Sequence, residues 1–258
     1  MLGATADLER LVSELWPDCI VVGVAERRRG LPFATLLDLQ FQGMEIQSVS
    51  ALYEMVCERV CMAEMPPSQL IFSDELGARP STIALQAIYS NLIALAGLLL
   101  LAVVFLPAAL AIKLTSRGPV LEAHQRLGLN LVPFTLYCFR CRGADGTLTG
   151  PGRWLRRLHL DALPQFVNVI RGEMSLVGPR PHRPEFIRVL MEQLPYYGQR
   201  HAVRPGILGW SQLNCDYGRL RDAREALEYD LYYIKHLSPA LDAYIMLHSL
   251  METSLEEG

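Results

Sequence analysis

Between Arg79 and Lys113 the chain carries no charged residue. It also has no internal repeat, no low-complexity tract and no G-x-G-x-x-G. Without that glycine turn there is no seat for a dinucleotide pyrophosphate, so no such cofactor is predicted. Met1 to Trp16 mixes Asp7, Glu9, Arg10 and Glu14 with apolar residues and lacks the apolar run of a secretory signal. The six cysteines are too few for a disulfide scaffold and are expected in a reducing setting. Cys57 with Cys61 and Cys138 with Cys141 could hold zinc only by converging across the apolar segment, so all are read as small buried thiols. His159, His182, His201, His236 and His248 have no ligand spacing, and no metal role is predicted for them.

What is present lies between the soluble and membrane classes. The 258 residues are 51% hydrophobic and 20% charged, with a net charge of −3, and the mean hydropathy is +0.19. That length suits one or two domains, and the apolar content excludes disorder. A pI near 6.1 gives no global reason to expect nucleic-acid binding. Leu92 to Ile112 is apolar throughout, and a helix of about 20 such residues matches the ~30 Å hydrocarbon layer. Pro107 inside it removes a backbone hydrogen bond, so a break and a re-entrant hairpin with both flanks on the cytoplasmic side are predicted, a kinked span being the alternative.

Before this segment, Cys19–Val24, Met44–Ile46 and Leu70–Phe72 read as short strands. Leu31–Gln40 and Ser50–Val60 read as helices, and Arg27, Arg28, Arg29 and Gly30 as a turn. Alternation of strand and helix predicts an α/β piece with a parallel sheet over residues 1–80. The membrane segment then takes 81–115, and a second domain 116–258.

The charge changes after the membrane segment. Lys113 to Arg204 holds fourteen Lys and Arg, thirteen of them Arg, against six Asp and Glu. Arginine's planar fork suits phosphate oxygens, and the same basic face suits anionic lipid. Nucleic acid is not a predicted partner, since interleaved stacking aromatics and DNA-binding motifs are missing. Gly178-Pro-Arg180-Pro181 and Arg204-Pro205-Gly206 each fix an arginine in rigid backbone. Two such arginines suit a diphosphate ligand.

Four blocks complete the pattern: Ser116-Arg-Gly-Pro-Val with Gln125-Arg126-Leu-Gly128; Phe134-Thr-Leu-Tyr-Cys-Phe-Arg140; Gly152-Arg-Trp-Leu-Arg156-Arg157 with Leu160-Asp161-Ala-Leu-Pro-Gln165; and Val203 to Asn214, which includes Gln212. Together they resemble the bacterial sugar transferase family, the monotopic polyprenyl-phosphate phosphoglycosyl transferases, over roughly Leu92 to Leu250. Residues 1–80 resemble a truncated form of the Rossmann-like domain that precedes exopolysaccharide-associated members. The resemblance implies a small membrane-associated α/β catalytic domain with amphipathic helices and a re-entrant membrane helix broken at Pro107. It implies transfer of a sugar 1-phosphate from a UDP-sugar to polyprenyl (undecaprenyl) phosphate, with release of UMP, on the cytoplasmic leaflet of the bacterial inner membrane. It also implies Mg²⁺, and a homodimer or other exopolysaccharide assembly proteins as partners.

Site roles follow from the same resemblance. Asp145 is expected as nucleophile and metal contact, with Asp161 as an assisting acid. Arg126, Arg140, Arg156, Arg180, Arg204 and Gln212 are the expected phosphate and substrate contacts. The chain departs from the family pattern in three places. Its usual K-F-R-S-M reads Cys138-Phe-Arg-Cys-Arg142, L-D-E-L-P-Q reads Leu160-Asp161-Ala162-Leu-Pro-Gln165, and His124 stands where glutamine is common. No glutamate neighbours Asp145 or Asp161, so the alternative is a degraded member that binds ligand, or assembles with a partner, without turnover.

Overall fold

The computed structural model describes residues 7–23, 32–62, 79–143, 146–215 and 220–255. The chain divides into two compact units, Met1–Phe72 and Ser73–Gly258.

In the first unit, helix α1 (Leu8–Leu15) precedes strand β1 (Cys19–Val22), α2 (Phe33–Phe41), β2 (Glu45–Ser48) and α3 (Val49–Cys57). The strands are parallel, with Cys19 opposite Glu45 and Val22 opposite Ser48, as a helical crossover requires. Ser48 caps α3 by accepting from the Ala51 N–H at 3.1 Å. The expected strand–helix alternation is present, but only one βα-linked pair is found among the described residues. A Rossmann-like sheet is therefore not established. The predicted strand Leu70–Phe72 and the Arg27–Arg29 turn lie outside the described residues.

The second unit opens with α4 (Pro80–Thr115), a single helix of 36 residues. It is long and apolar enough to cross a membrane by length and composition, and only 11% of its most apolar window is buried. The predicted break at Pro107 is not there, because the helix continues through it to Thr115. The reason is tertiary. Gln86, Ser90, Ala94, Ala108 and Ile112 are buried, and Leu101 and Val104 pack on the core beside Ala108 and Ile112. These residues recur every three or four positions, or seven between Ala94 and Leu101, so they form one stripe. The stripe lies on the α/β unit along most of the helix, while Pro107 is on the exposed side. Packing on both sides of Pro107 carries the helix past one lost hydrogen bond.

Polar groups fasten the start of this apolar helix. Gln86 Nε2 donates to Tyr233 Oη and to Asp242 Oδ2, each at 2.8 Å. Tyr89 also donates to Asp242, and Tyr233 donates to Asp242 Oδ1 at 2.8 Å. At the far end, Arg140 donates to the carbonyls of Arg117 (2.8 Å) and Ser116 (3.0 Å) and to Ser116 Oγ (2.7 Å). A Cβ at Gly118 would stand 1.9 Å from Arg140 Nη1, so this exit turn needs glycine there.

The rest of the unit packs against α4. Strands β3 (Leu121–Leu127) and β4 (Pro133–Phe139) form an antiparallel hairpin, followed by α5 (Gly150–Arg157), a 3-10 helix (Leu160–Gln165) and α6 (Phe166–Ile170). Then come β5 (Ser175–Val177), α7 (Pro184–Gln193), a 3-10 helix (Tyr197–Ala202), β6 (Gly206–Leu208), α8 (Trp210–Asn214), α9 (Leu220–Lys235) and α10 (Pro239–Leu255). One core joins Val177, Val203, Trp210, Tyr233 and Ile245. A second joins Ala94 of α4 to Phe134, Leu136, Val169 and Met174.

The two rigid arginine motifs pair with each other. Strands β5 and β6 are parallel; Gly178 N donates to Leu208 O at 2.8 Å, and Gly206 N donates to Pro179 O at 3.1 Å. A Cβ at Gly206 would stand 2.1 Å from Gly178 N, with backbone on every side. Gly206→Ala should therefore destabilise the unit by about 1–3 kcal/mol, read as a lower urea midpoint in detergent. Gly146→Ala, whose added Cβ meets nothing within 4 Å, tests only the strain of its positive φ and should cost less.

Candidate active site

The register of the hairpin decides which side chains meet. Glu122 is opposite Cys138, His124 opposite Leu136, and Arg126 opposite Phe134. Directly opposed residues share a face, and faces repeat every second residue. Glu122, His124, Arg126 and Cys138 therefore share one side of β3–β4. Glu122 Oε2 and His124 Nε2 are 3.1 Å apart. The Cys138 thiol makes a long contact, 4.0 Å, to the Glu122 carbonyl.

Asp161 reaches the same place from the first turn of the 3-10 helix Leu160–Gln165. Burial raises its carboxyl above the usual range, while Arg156, His159 and the backbone N–H groups of Asp161 and Ala162 favour the ionised form. Burial drives the Cys138 thiol up to about 11, with the carboxylates of Glu122 and Asp161 adding to the effect and Arg126 opposing it. Burial and then Asp161 likewise raise Cys141, and Arg156 donates a hydrogen bond to its sulfur. Two carboxylates, two thiols and two arginines thus form one electrostatic neighbourhood.

Arg126 links this group to a second one. Burial lowers its pKa, and so do the charges of Arg183 and Arg180. Cys138 and then Glu185 act in the opposite sense. Guanidinium groups crowded in this way bind phosphate oxygens well, since an anion relieves their repulsion.

The loop that carries Arg180 and Arg183 is held from beneath by Arg200, whose side chain is 3% exposed. Its Nη1 donates to Tyr197 Oη (2.5 Å) and His182 Nδ1 (2.6 Å). Its Nη2 donates to the Arg180 carbonyl (2.9 Å) and pairs with Asp230 Oδ2 (2.7 Å). Ser211 Oγ donates to the other Asp230 oxygen at 2.7 Å. Because Arg200 can only donate, His182 Nδ1 accepts and the ring is neutral. Burial, then Arg200 and Arg180, lower His182 to about 2. Burial and Arg200 lower His201 to about 4.

The expected site residues separate into groups. Asp161, Arg126, Arg156 and Arg180 line this neighbourhood. Asp145 lies outside the described residues. Arg140 is buried and engaged at the exit of α4, so its donors serve the fold. Arg204 runs beside Gly172, 3.8 Å from where a Cβ would stand, and its carbonyl faces Ser175 Oγ at 3.5 Å. Gln212 has a buried Oε1 without a hydrogen-bond partner. Of the six cysteines, only Cys141 is buried, and all are free thiols. Sequence reasoning missed Glu122, Arg183 and Arg200, and gave His124 no role. The two-residue spacing of Glu122 and His124 opposite Cys138 was a usable signal, and nothing in the sequence marked Arg200.

The model of the bacterial sugar transferase family matches residues 82–255. The chain belongs to that family. A UDP-N-acetylgalactosamine-undecaprenyl-phosphate N-acetylgalactosaminephosphotransferase of Aeromonas hydrophila is 39% identical over 159 residues, covering 56% of this chain and 38% of that protein. An undecaprenyl-phosphate glucose phosphotransferase of Komagataeibacter xylinus is 43% identical over 169 residues, covering 58% of this chain and 32% of its own length. The uncharacterized sugar transferase EpsL of Bacillus subtilis is 37% identical over 172 residues, covering 60% of this chain and 80% of EpsL. The sugar transferase chain thus spans about a third of the first two relatives.

Mg²⁺, implied by the family resemblance, would be held through Asp145, which lies outside the described residues. The three groups gathered on the hairpin face, a carboxylate, an imidazole and a thiol, are a different donor set from the hard oxygens that Mg²⁺ prefers.

Two outcomes follow for the Arg200 assembly. Arg200→Met would leave Asp230 buried and unpaired, costing about 3–5 kcal/mol in urea unfolding. The depressed pKa of His182 means that the unfolded chain takes up a proton below pH ~6.5 that the folded chain refuses down to about 2. His182 therefore withdraws stability as pH falls from 6.5. His182→Asn keeps an acceptor without the titration, and its Tm should fall less than that of the unaltered chain between pH 6.5 and pH 4.

Proposed function

We propose that this sugar transferase moves a sugar 1-phosphate from a UDP-sugar to undecaprenyl phosphate and releases UMP, as an early membrane step of polysaccharide assembly. The observation that carries the reading is the crowding of Arg126, Arg180 and Arg183, with Arg126 and the half-buried carboxylate of Asp161 both acting on Cys138. The names of its relatives agree with it.

The chemistry follows from that arrangement. The arginines hold the diphosphate and turn its β-phosphorus toward Asp161. A carboxylate oxygen of Asp161 attacks that phosphorus, its bond to the bridging oxygen breaks, and UMP leaves with the electron pair. A phosphate oxygen of the polyprenyl acceptor then attacks the same phosphorus and frees the carboxylate. Splitting one displacement between two dianions into two steps is the gain of covalent catalysis. Asp145 was the expected nucleophile. Asp145 lies outside the described residues, so the step is written on Asp161, the half-buried acid whose ionised form Arg156, His159 and backbone N–H groups favour.

The same reading sets the membrane geometry. A helix whose stripe from Gln86 to Ile112 rests on one α/β unit keeps both ends on that unit's side of the bilayer. Leu92, Leu95, Leu99, Val103, Leu106 and Leu110 are exposed for the lipid, and Trp154 at 65% exposure suits the interface. The unit then faces the cytoplasm, where UDP-sugars are available.

Purified protein in detergent with UDP-glucose or UDP-N-acetylgalactosamine and undecaprenyl phosphate should release UMP. Asp161→Asn should lower the rate at least about 1,000-fold, while Asp145→Asn retains most of it; the reverse result would return the nucleophile to Asp145. Arg126→Met should raise KM for the UDP-sugar about tenfold or more, as expected for a lost charge-assisted contact. Binding of UDP-sugar by calorimetry with no UMP from any donor would instead mark a ligand-binding relative. Cysteine labels at positions 85 and 115 should both react from the cytoplasmic side alone.

A further inference from the structure

Glu122, His124 and Cys138 place a carboxylate oxygen, an imidazole nitrogen and a sulfur all within 4.8 Å of one another. We propose that these three side chains bind a divalent transition ion of the zinc class, not Mg²⁺. The site is built into the hairpin. Glu122 and His124 are two apart on β3, and Cys138 is the direct cross-strand partner of Glu122, so a rigid ladder brings the three together.

The donor chemistry selects the ion. Thiolate and imidazole suit borderline ions such as Zn²⁺ and Co²⁺, and a hard ion gains little from them. Tetrahedral Zn²⁺ bonds of about 2.0–2.3 Å place neighbouring ligand atoms roughly 3.3–3.8 Å apart. Glu122 and His124 are near that spacing, at 3.1 Å, and small side-chain rotations bring in the sulfur. All three residues are half-buried, which leaves the ion reachable from solvent. Binding needs the thiolate, so the Cys138 proton goes to solvent as the ion enters. Three protein ligands leave a fourth position open. Asp161 is close enough for its charge to act on the thiol.

The ion site stands on this geometry and is independent of the transferase reading, since it is read by metal binding and not by UMP release. The test uses the full chain in detergent, stripped with a chelator and titrated with Co²⁺. One equivalent should bind with a thiolate-to-cobalt charge-transfer band, and Zn²⁺ should displace it while millimolar Mg²⁺ does not. Cys138→Ser should abolish the band, and Glu122→Gln and His124→Ala should each weaken binding at least tenfold, with melting curves confirming that the variants fold. Cys57→Ser/Cys61→Ser should leave the band intact. A band that survives Cys138→Ser or disappears with Cys57 and Cys61, displacement by Mg²⁺, or no Co²⁺ or Zn²⁺ binding to folded protein at 100 µM would each overturn the proposal.

Discussion

The Arg200 guanidinium is what the arginine-bearing loop depends on. A buried cation is costly unless each of its donors is met, and four groups from different parts of the chain meet these. Tyr197 is within its own 3-10 helix, His182 and the Arg180 carbonyl belong to the loop, and Asp230 comes from α9. The loop cannot shift without leaving a donor unpaired. Its outward arginines are thereby fixed before any ligand arrives, and little entropy remains to be lost on binding an anion. Pairing of Gly178 with Leu208, and of Gly206 with Pro179, fixes the same loop at its other end. One cation is used as structure, and the loop's other arginines, Arg180 and Arg183, stay exposed.

Helix α4 obeys a different constraint, set by its two solvents. One stripe must match a protein core and the remaining faces are apolar, so periodicity alone cannot distinguish core from lipid. The distinction lies in a few polar residues. Gln86 and Ser90 are buried in a helix whose other buried residues, Ala94, Ala108 and Ile112, are aliphatic, and Gln86 reaches a carboxylate on α10 that Tyr233 and Tyr89 also engage. Such a network is strong only where water is excluded. It gives the helix a rotational register that uniform hydrophobicity could not.

Much of this was legible in the sequence, and the failures have physical causes. The α/β alternation before residue 60 and the apolar helix were readable because burial imposes a period. The order of motifs from Ser116 to Asn214 gave the family. Pro107 misled, because a proline's local cost says nothing about tertiary packing on either side of it. Charge counting misled as well. It grouped Arg140 and Arg200 with the basic surface, yet both are buried and engaged. A buried arginine and a phosphate-binding arginine look alike in sequence, because what separates them is partners distant along the chain. Arg183 was legible in principle, two residues beyond the loop's second proline, but only the fold brings it beside Arg126.

The departures from the family pattern are easier to understand together than singly. Replacing lysine by Cys138 removes a cation from the hairpin face, and replacing glutamate by Ala162 removes an anion from the adjoining 3-10 helix. Glu122 then contributes a carboxylate from the strand side, where Asp161 and Arg126 also act on Cys138. An anion is thus present near Asp161 although its sequence neighbour is gone, and it is carried by a stiffer element than a loop. Exchange of an ammonium for a thiol changes the chemistry more than the charge. An ammonium can only donate, whereas a thiol can become a ligand. Beside His124 and Glu122, that single change sets three side chains able to ligate an ion on one face.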